Sequence, residues 1–285
     1  MNPRDRKLLL NYFESIISYI PIDTMDEGIG TAYERSVISA FLTRLGKRYN
    51  VRTVLEFPCD GITGLLGINS LVFSRKNCDV VLCNPVERLL LLSKVVWTKL
   101  GLSDKADFVL TSEDVELPFP DESFDLVWNF CMFERYVDPT ALIKEMSRLT
   151  RKLILVMTQN WKNWGTGPHR LYHRMKRRPW DHGYKRYMEM STLEEFMKKV
   201  NLQIIDFGGI DIPPIIDTWD LPIRGTLETI LKVAGKEWRW KMSGEKSEKS
   251  SKLLDLFTLL ENNLPNWFKE YQAHHLYVVA MKKLS

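Results

Sequence analysis

Residues 51–61 read Val51-Arg52-Thr53-Val54-Leu55-Glu56-Phe57-Pro58-Cys59-Asp60-Gly61. This is a short apolar run that ends in an acid and a turn. Four more runs have the same build: Cys78–Cys83 (CDVVLC), Ala106–Leu110 (ADFVL), Phe124–Trp128 (FDLVW) and Lys152–Thr158 (KLILVMT). Helical patterns over Glu87–Leu100 and Pro139–Thr150 separate most of them. Short, continuously apolar strands that alternate with helices predict a parallel sheet buried on both faces. Upstream, residues 5–19 place Leu8, Leu9, Tyr12, Phe13, Ile16 and Ile17 at helical spacing, and Pro21 stops that helix. A second helix over Thr31–Arg48 follows the Gly28/Gly30 loop and carries Val37, Ile38, Ala40, Phe41 and Leu45 on its apolar face. Downstream, a helix over Thr192–Val200 leads into a strand at Leu202–Asp206, and His275–Met281 forms a last strand. The stretch between them, Gly208–Pro265, is rich in Pro, Gly and Trp, and its charged run at 244–252 reads as a surface loop. The division expected is N-terminal helices at 1–50, an α/β domain at 51–211 and 272–285, and a cap or insertion at 212–271.

Composition narrows the function classes. With 285 residues, 45% hydrophobic and 27% charged, the chain suits one large globular domain, and a disordered, collagen-like or coiled-coil chain is excluded. A net charge of +4, from 40 basic and 36 acidic residues, is too small to imply nucleic-acid binding by itself. Cys59, Cys78, Cys83 and Cys131 form no CxxC pair, so reduced buried thiols in a cytoplasmic protein are expected and a zinc site is not. The N-terminal apolar stretch is interrupted by Asn11 and Glu14, unlike a signal or transit peptide, and no apolar run approaches the ~20 residues that cross a bilayer.

Open parallel sheets bind ligands beyond the C-terminal strand ends, so the residues after each strand matter most. They include Glu56 to Gly61, Asn84-Pro85, Glu113 to Asp121, and Asn129 to Pro139. Here the chain resembles the class I S-adenosylmethionine-dependent methyltransferases, in the branch similar to quinone-biosynthesis enzymes. Val54 to Gly61 follows the family's strand, acid and glycine-rich turn. Glu113 to Val127, with its LPFPDESFDLV run, matches the family's most specific segment, and Glu134-Arg135-Tyr136-Val137-Asp138-Pro139 matches the next. The resemblance covers about residues 31–160 and implies a three-layer α/β/α sandwich. Its Rossmann-like, seven-stranded sheet would be mostly parallel with the last strand antiparallel.

The resemblance also implies S-adenosyl-L-methionine as cofactor. Glu56 would take its ammonium, and the turn Phe57, Pro58, Cys59, Asp60 and Gly61 would pass beneath methionine and ribose. Glu113 and Asp114 would lie at the adenine edge, and Asn129 beside the sulfonium. Three positions depart from the family. Pro58 and Asp60 replace turn glycines, and Asn84 stands where an acid would grip the ribose, with Glu87 the nearest alternative acid. Proline has no N–H to donate, and a neutral amide is a weaker acceptor than a carboxylate. Arg35, in Tyr33-Glu34-Arg35, reads as a surface helix position, with pairing to the methionine carboxylate as the functional alternative.

The segment 169–186, HRLYHRMKRRPWDHGYKR, holds seven basic residues and three histidines. In the family this region covers the substrate pocket, which makes His169, His173, Trp180 and His182 substrate-side candidates; Arg170, with Arg174, Arg177 and Arg178, would recognise an anionic substrate, and Glu134 and Tyr136 at the end of the fourth strand are alternative pocket residues. Tyr136, His169, His173 and His182 are also the candidate proton acceptors, since histidine titrates near neutrality. The H-x3-H pair lacks a further ligand in sequence, so no metal is expected. A solvated amphipathic helix and loop is the plain alternative. The function expected is in-line methyl transfer to a small-molecule acceptor. Two alternatives stand beside it: a non-catalytic binding or scaffold protein of the same fold, and an RNA methyltransferase using the basic arm.

Overall fold

The computed structural model describes residues 3–19, 29–59, 65–112, 115–212, 242 and 248–282. Each short apolar run of the sequence is a strand: β1 Thr53–Glu56, β2 Asp79–Asn84, β3 Ala106–Leu110, β4 Phe124–Phe130, β5 Thr150–Gln159, β6 Leu202–Ile210 and β7 His275–Lys282. They form one sheet in the order β3-β2-β1-β4-β5-β7-β6. The first five neighbours run parallel, and β7 lies antiparallel between β5 and β6.

Alternation along the strands builds two cores. Val54, Leu126, Trp128, Leu153 and Leu155 face one layer of helices. Leu55, Val127, Ile154 and Val156 face the other. The first layer holds α2 (Ile29–Arg48), α3 (Leu71–Arg75) and α4 (Glu87–Lys99), with α1 (Pro3–Tyr19) packed on α4. The second holds α5 (Thr140–Leu149) and α7 (Met190–Lys199). Because both faces of β4 and β5 are covered, these strands need apolar side chains at successive positions, which is why their runs do not alternate. The fold is therefore a three-layer Rossmann-like α/β/α sandwich: the pattern predicts its buried parallel sheet, and the family resemblance implies the rest.

Three local expectations change. The helix at 5–19 forms, but Leu8 and Tyr12 are 60% exposed, and it is Leu10 and Phe13 that pack on the core. Residues 248–252 of the charged run are the first turns of a helix, α8 (Glu248–Asn263), and not loop. Its Leu254 and Phe257 join the core and its Glu261 is buried, so tertiary packing overrides a weakly helical start. A further short helix, α9 (Asn266–Gln272), leads into β7. Tyr33, Glu34 and Arg35 are buried, not on the surface.

The LPFPD run owes its form to one side chain. Arg148 on α5 donates to the carbonyls of Leu117 and Phe119 at 3.0 and 2.8 Å, and to Asp121 at 2.8 Å. It also grips both oxygens of Glu145, which in turn accepts from Leu117 N. A planar guanidinium with five donors can serve all of these acceptors at once.

Candidate functional site

The strand order reverses between β1 and β4, and the site is built where their C-terminal ends part. Glu56 ends β1 and is buried. Ser70 Oγ donates to its Oε2, and the Trp128 indole of β4 donates to the same Ser70 Oγ at 3.0 Å. Burial pushes the Glu56 carboxyl up to about 7, against the stabilising pull of Ser70, Cys59 and the Arg35 guanidinium. Arg35, on α2, is also buried and donates to Glu34 at 2.9 Å and to Asn69 at 3.2 Å. A buried acid and a buried cation thus share the end of β1. This pair complements an amino-acid zwitterion, with the acid for the ammonium and the cation for the carboxylate.

The turn after β1 is held from inside. Phe57 N donates to Trp128 O and Cys59 N to Cys83 O, and Pro58 has no N–H. No backbone donor of residues 57–59 is therefore left for a ligand. Asn84 donates to Cys59 O and accepts from Val86 N, so its amide fastens the turn rather than reaching outward. Glu87, the alternative acid, lies 3.3 Å from the Arg6 guanidinium. Asn129, fully buried, accepts from Met132 N and Phe133 N, and it donates to Phe57 O at 3.4 Å. It shapes the corner after β4. Asp60, Gly61, Glu113 and Asp114 lie outside the described residues.

A buried polar chain runs alongside. Cys131, at φ 52°, places its Sγ 3.5 Å from His275 Nδ1, and His275 Nε2 lies 3.3 Å from Glu34 Oε2. Burial works against the Glu34 carboxylate, but Arg35 and His275 outweigh it and hold it well below the usual carboxylate range. Burial lowers His275 despite Glu34, and burial pushes the Cys131 thiol up, so this cysteine is a protonated, unreactive thiol. All four cysteines are free and buried, as composition suggests. Tyr33 donates to Glu261 at 2.6 Å, and Glu261 accepts from the backbone of Asp211 and Ile212, which ties α8 to α2 and β6. Sequence reasoning placed none of His275, Glu261 or Asp211 here; they come from distant parts of the chain and belong to no local motif.

The substrate-side candidates gather at the ends of β4 and β5. Glu134 is fully buried, its Oε1 accepts from Gln159 N, and burial raises its carboxyl to about 7. Tyr136 packs on the second core, and burial raises its hydroxyl. α6 (Thr166–Met175) carries His169, Arg170 and His173, and the following loop brings back Trp180 and His182. Tyr184 N donates to Glu134 O at 2.7 Å and fastens this loop over β4. Burial first, then the neighbouring histidines, lower His182 to about 4. It is neutral at pH 7 and a weak base. The arm's cations meet its own aromatics: Arg170 lies 4.5 Å and Lys185 5.1 Å from the Trp161 ring centre, and Arg186 4.4 Å from that of Tyr187.

Comparison with known proteins accords with this geometry. Residues 63–153 match the family model described as a methyltransferase domain. Curated relatives include the ubiquinone biosynthesis O-methyltransferases of Bartonella bacilliformis, 23% identical, and Bartonella tribocorum, 29% identical, each over 172 residues. Each match takes in 59% of this chain and spans 66% of the relative's own length. Among solved structures, the YcgJ protein of Bacillus subtilis aligns with a TM-score of 0.50 at 15% identity, covering 86% of this chain and 98% of that one. The [4+2]-cyclase SpnF aligns at 0.52 and 14% identity, covering 87% and 81%. These likenesses show the fold, which is that of the class I, Rossmann-like methyltransferases. Together the domain match and these likenesses support a class I S-adenosylmethionine-dependent methyltransferase. Among the described residues no helix is long and apolar enough to cross a membrane.

Proposed function

We propose that the protein transfers a methyl group from S-adenosylmethionine to a hydroxyl of a small-molecule acceptor. The observation that carries this reading is the buried Glu56 and Arg35 pair at the end of β1, a charge complement to the amino-acid end of that cofactor. When bound, the cofactor supplies an electrophilic methyl group on a sulfonium. Glu56 would hold its ammonium and Arg35 its carboxylate. Asn84 is committed to the turn, so recognition of the ribose falls to other groups than in the family pattern.

The chain's own contribution is positioning and exclusion of water, which can supply ~7–11 kcal/mol of a displacement barrier. Asn129 fixes the corner after β4, and the loop at Trp180–Tyr184 roofs the ends of β4 and β5. A hydroxyl acceptor must lose its proton, and His169 and His173 are the side chains proposed to take it; His182 is too weak a base. The relatives' printed activity supports an oxygen acceptor. Calorimetric titration with S-adenosylmethionine and S-adenosylhomocysteine, with Glu56→Gln and Arg35→Lys alongside, tests the reading. Saturable binding of both ligands, weakened in both variants, is expected. No binding of either by the wild type would overturn it. Binding without turnover on any phenolic or hydroxylated acceptor would favour the non-catalytic alternative.

A further inference from the structure

The three histidines of the basic arm converge on one point. His169 and His173, four residues apart on α6, share one helix face. His182 returns to them from the loop, with ring centres 4.7 and 5.3 Å away. One ring nitrogen of each lies within 4.8 Å of the other two. His169 Nε2 and His173 Nε2 are 3.1 Å apart. Two nitrogens each ~2.05 Å from a tetrahedral zinc ion are ~3.3 Å apart, so this pair already stands at chelating separation.

The surroundings set the protonation that a ligand needs. His173 Nδ1 lies 2.9 Å from Pro179 O. A carbonyl only accepts, so Nδ1 carries the proton and Nε2 turns its lone pair to the cluster. A carbonyl behind the ring is the outer partner that metal-bound histidines usually have. Gln159 holds His182 in the opposite sense: its amide Nε2 donates to His182 Nδ1 at 3.3 Å, so the metal-free ring keeps its proton on Nε2 and must change tautomer to offer that nitrogen to an ion. The carboxylate of Asp181, 3.4 Å from His182 Nε2, adds negative charge at the rim. Trp180 closes the apolar side, 4.6 Å from His182 between ring centres.

We propose that His169, His173 and His182 form a site for a divalent transition ion of the zinc class. Three neutral imidazoles leave a fourth position for water, Asp181 or an oxygen of a bound acceptor. Without metal, His169 Nε2–H donates to His173 Nε2, and metal binding requires that proton to move to His169 Nδ1 so that both Nε2 lone pairs face the ion. Metal binding and proton acceptance use the same lone pairs, and the site does not depend on the cofactor-binding reading.

The test uses the full chain after chelator treatment, titrated with Zn2+ against a chromophoric chelator and with Co2+ followed by visible absorption and tryptophan fluorescence. One equivalent is expected, with quenching of Trp180 by Co2+. His169 and His182 are both half-exposed, so His169→Gln and His182→Gln should stay folded, which circular dichroism checks. Each should weaken affinity at least ~10-fold, the lower bound seen when even an outer partner is lost. Trp180→Phe should keep the metal and lose the quenching. No saturable uptake by the wild type would overturn the proposal. So would uptake unchanged in both histidine variants, since the ion would then sit elsewhere, for example on Glu34, Asp211, His274 and His275.

Discussion

Replacing Glu56 by glutamine should stabilise the free protein while damaging its binding site. Burial raises the Glu56 carboxyl from 4.5 to about 7. A folded value above the unfolded one means that the native state prefers the protonated acid. Below pH 4.5 the group is protonated in both states and adds no penalty. As pH climbs from 4.5 through 7 the unfolded chain ionises first and the native state loses stability, by ~3 kcal/mol once above 7. Glutamine keeps an acceptor for Ser70 Oγ and carries no charge. The variant should therefore match the wild type near pH 4 and exceed it at pH 8, by roughly 6 °C in Tm for a chain of this size. Cofactor affinity should move the opposite way. The ammonium needs the ionised carboxylate, so wild-type affinity should fall as pH drops below 7. It should fall again above ~8, where an α-amino group deprotonates. Loss of a hydrogen bond between charged groups costs ~1.5–3 kcal/mol, or about 10- to 100-fold in Kd. Thermal melts and calorimetric titrations at pH 5, 7 and 8 measure both trends. A variant that is no more stable than wild type at pH 8, or that binds S-adenosylhomocysteine equally well at every pH, would refute the assignment of a buried, functionally charged Glu56.

Arg148→Lys should behave as a disruptive change. One ammonium cannot serve the carbonyls of Leu117 and Phe119 together with Asp121 and Glu145, so ~1–3 kcal/mol should be lost in urea unfolding, with weaker cofactor binding because the 117–121 segment is released. Asp125 is held below its usual range: burial opposes, but Arg52 N, Lys152 and Arg151 prevail. Asp125→Asn should therefore lose stability at pH 7, with the gap to wild type closing as pH falls below ~4, the ordinary aspartate value, in a series of melts. Gly183 has φ +101°, and a Cβ there would strike the Glu134 carbonyl. Gly183→Ala should cost ~1–3 kcal/mol, read as a lower denaturation midpoint at unchanged m-value.

The parts of this fold that were legible in sequence are those governed by local periodicity. The central strands announce themselves because a strand covered on both sides must be apolar at successive positions, as Leu153 to Met157 are, while the edge strands β3 and β6 are buried only in part. Glu56 was legible because an acid at the end of such a strand, before a turn, is a local pattern. Arg35 was harder: nothing in α2's own sequence distinguishes a buried arginine that faces Asn69 from a solvated one. His182 was named in sequence beside His169 and His173, but its convergence on them was hidden for the same reason. His182 lies within a loop that has Arg177 at φ 52° before it and Gly183 at φ 101° after it, and only the path of that loop returns it to α6. The buried run from Cys131 through His275 to Glu34 spans residues 241 positions apart in its last step, beyond the reach of any window reading.

The position of β7 between β5 and β6 also sets an order of assembly. During synthesis β6 emerges before β7, its one partner in the sheet among the described residues. Until β7 arrives, β5 ends the growing sheet with a row of free backbone groups, an edge of the kind that recruits strands from other chains. The last strand also delivers His275 to Glu34 and Cys131. A ribosome-bound chain stopped after β6 is thus both adhesive and without its finished polar interior. A shortened chain lacking β7 should accumulate in aggregates, while loss of α1, which packs against α4 at the outside of the helix layer, should leave the same chain in the supernatant.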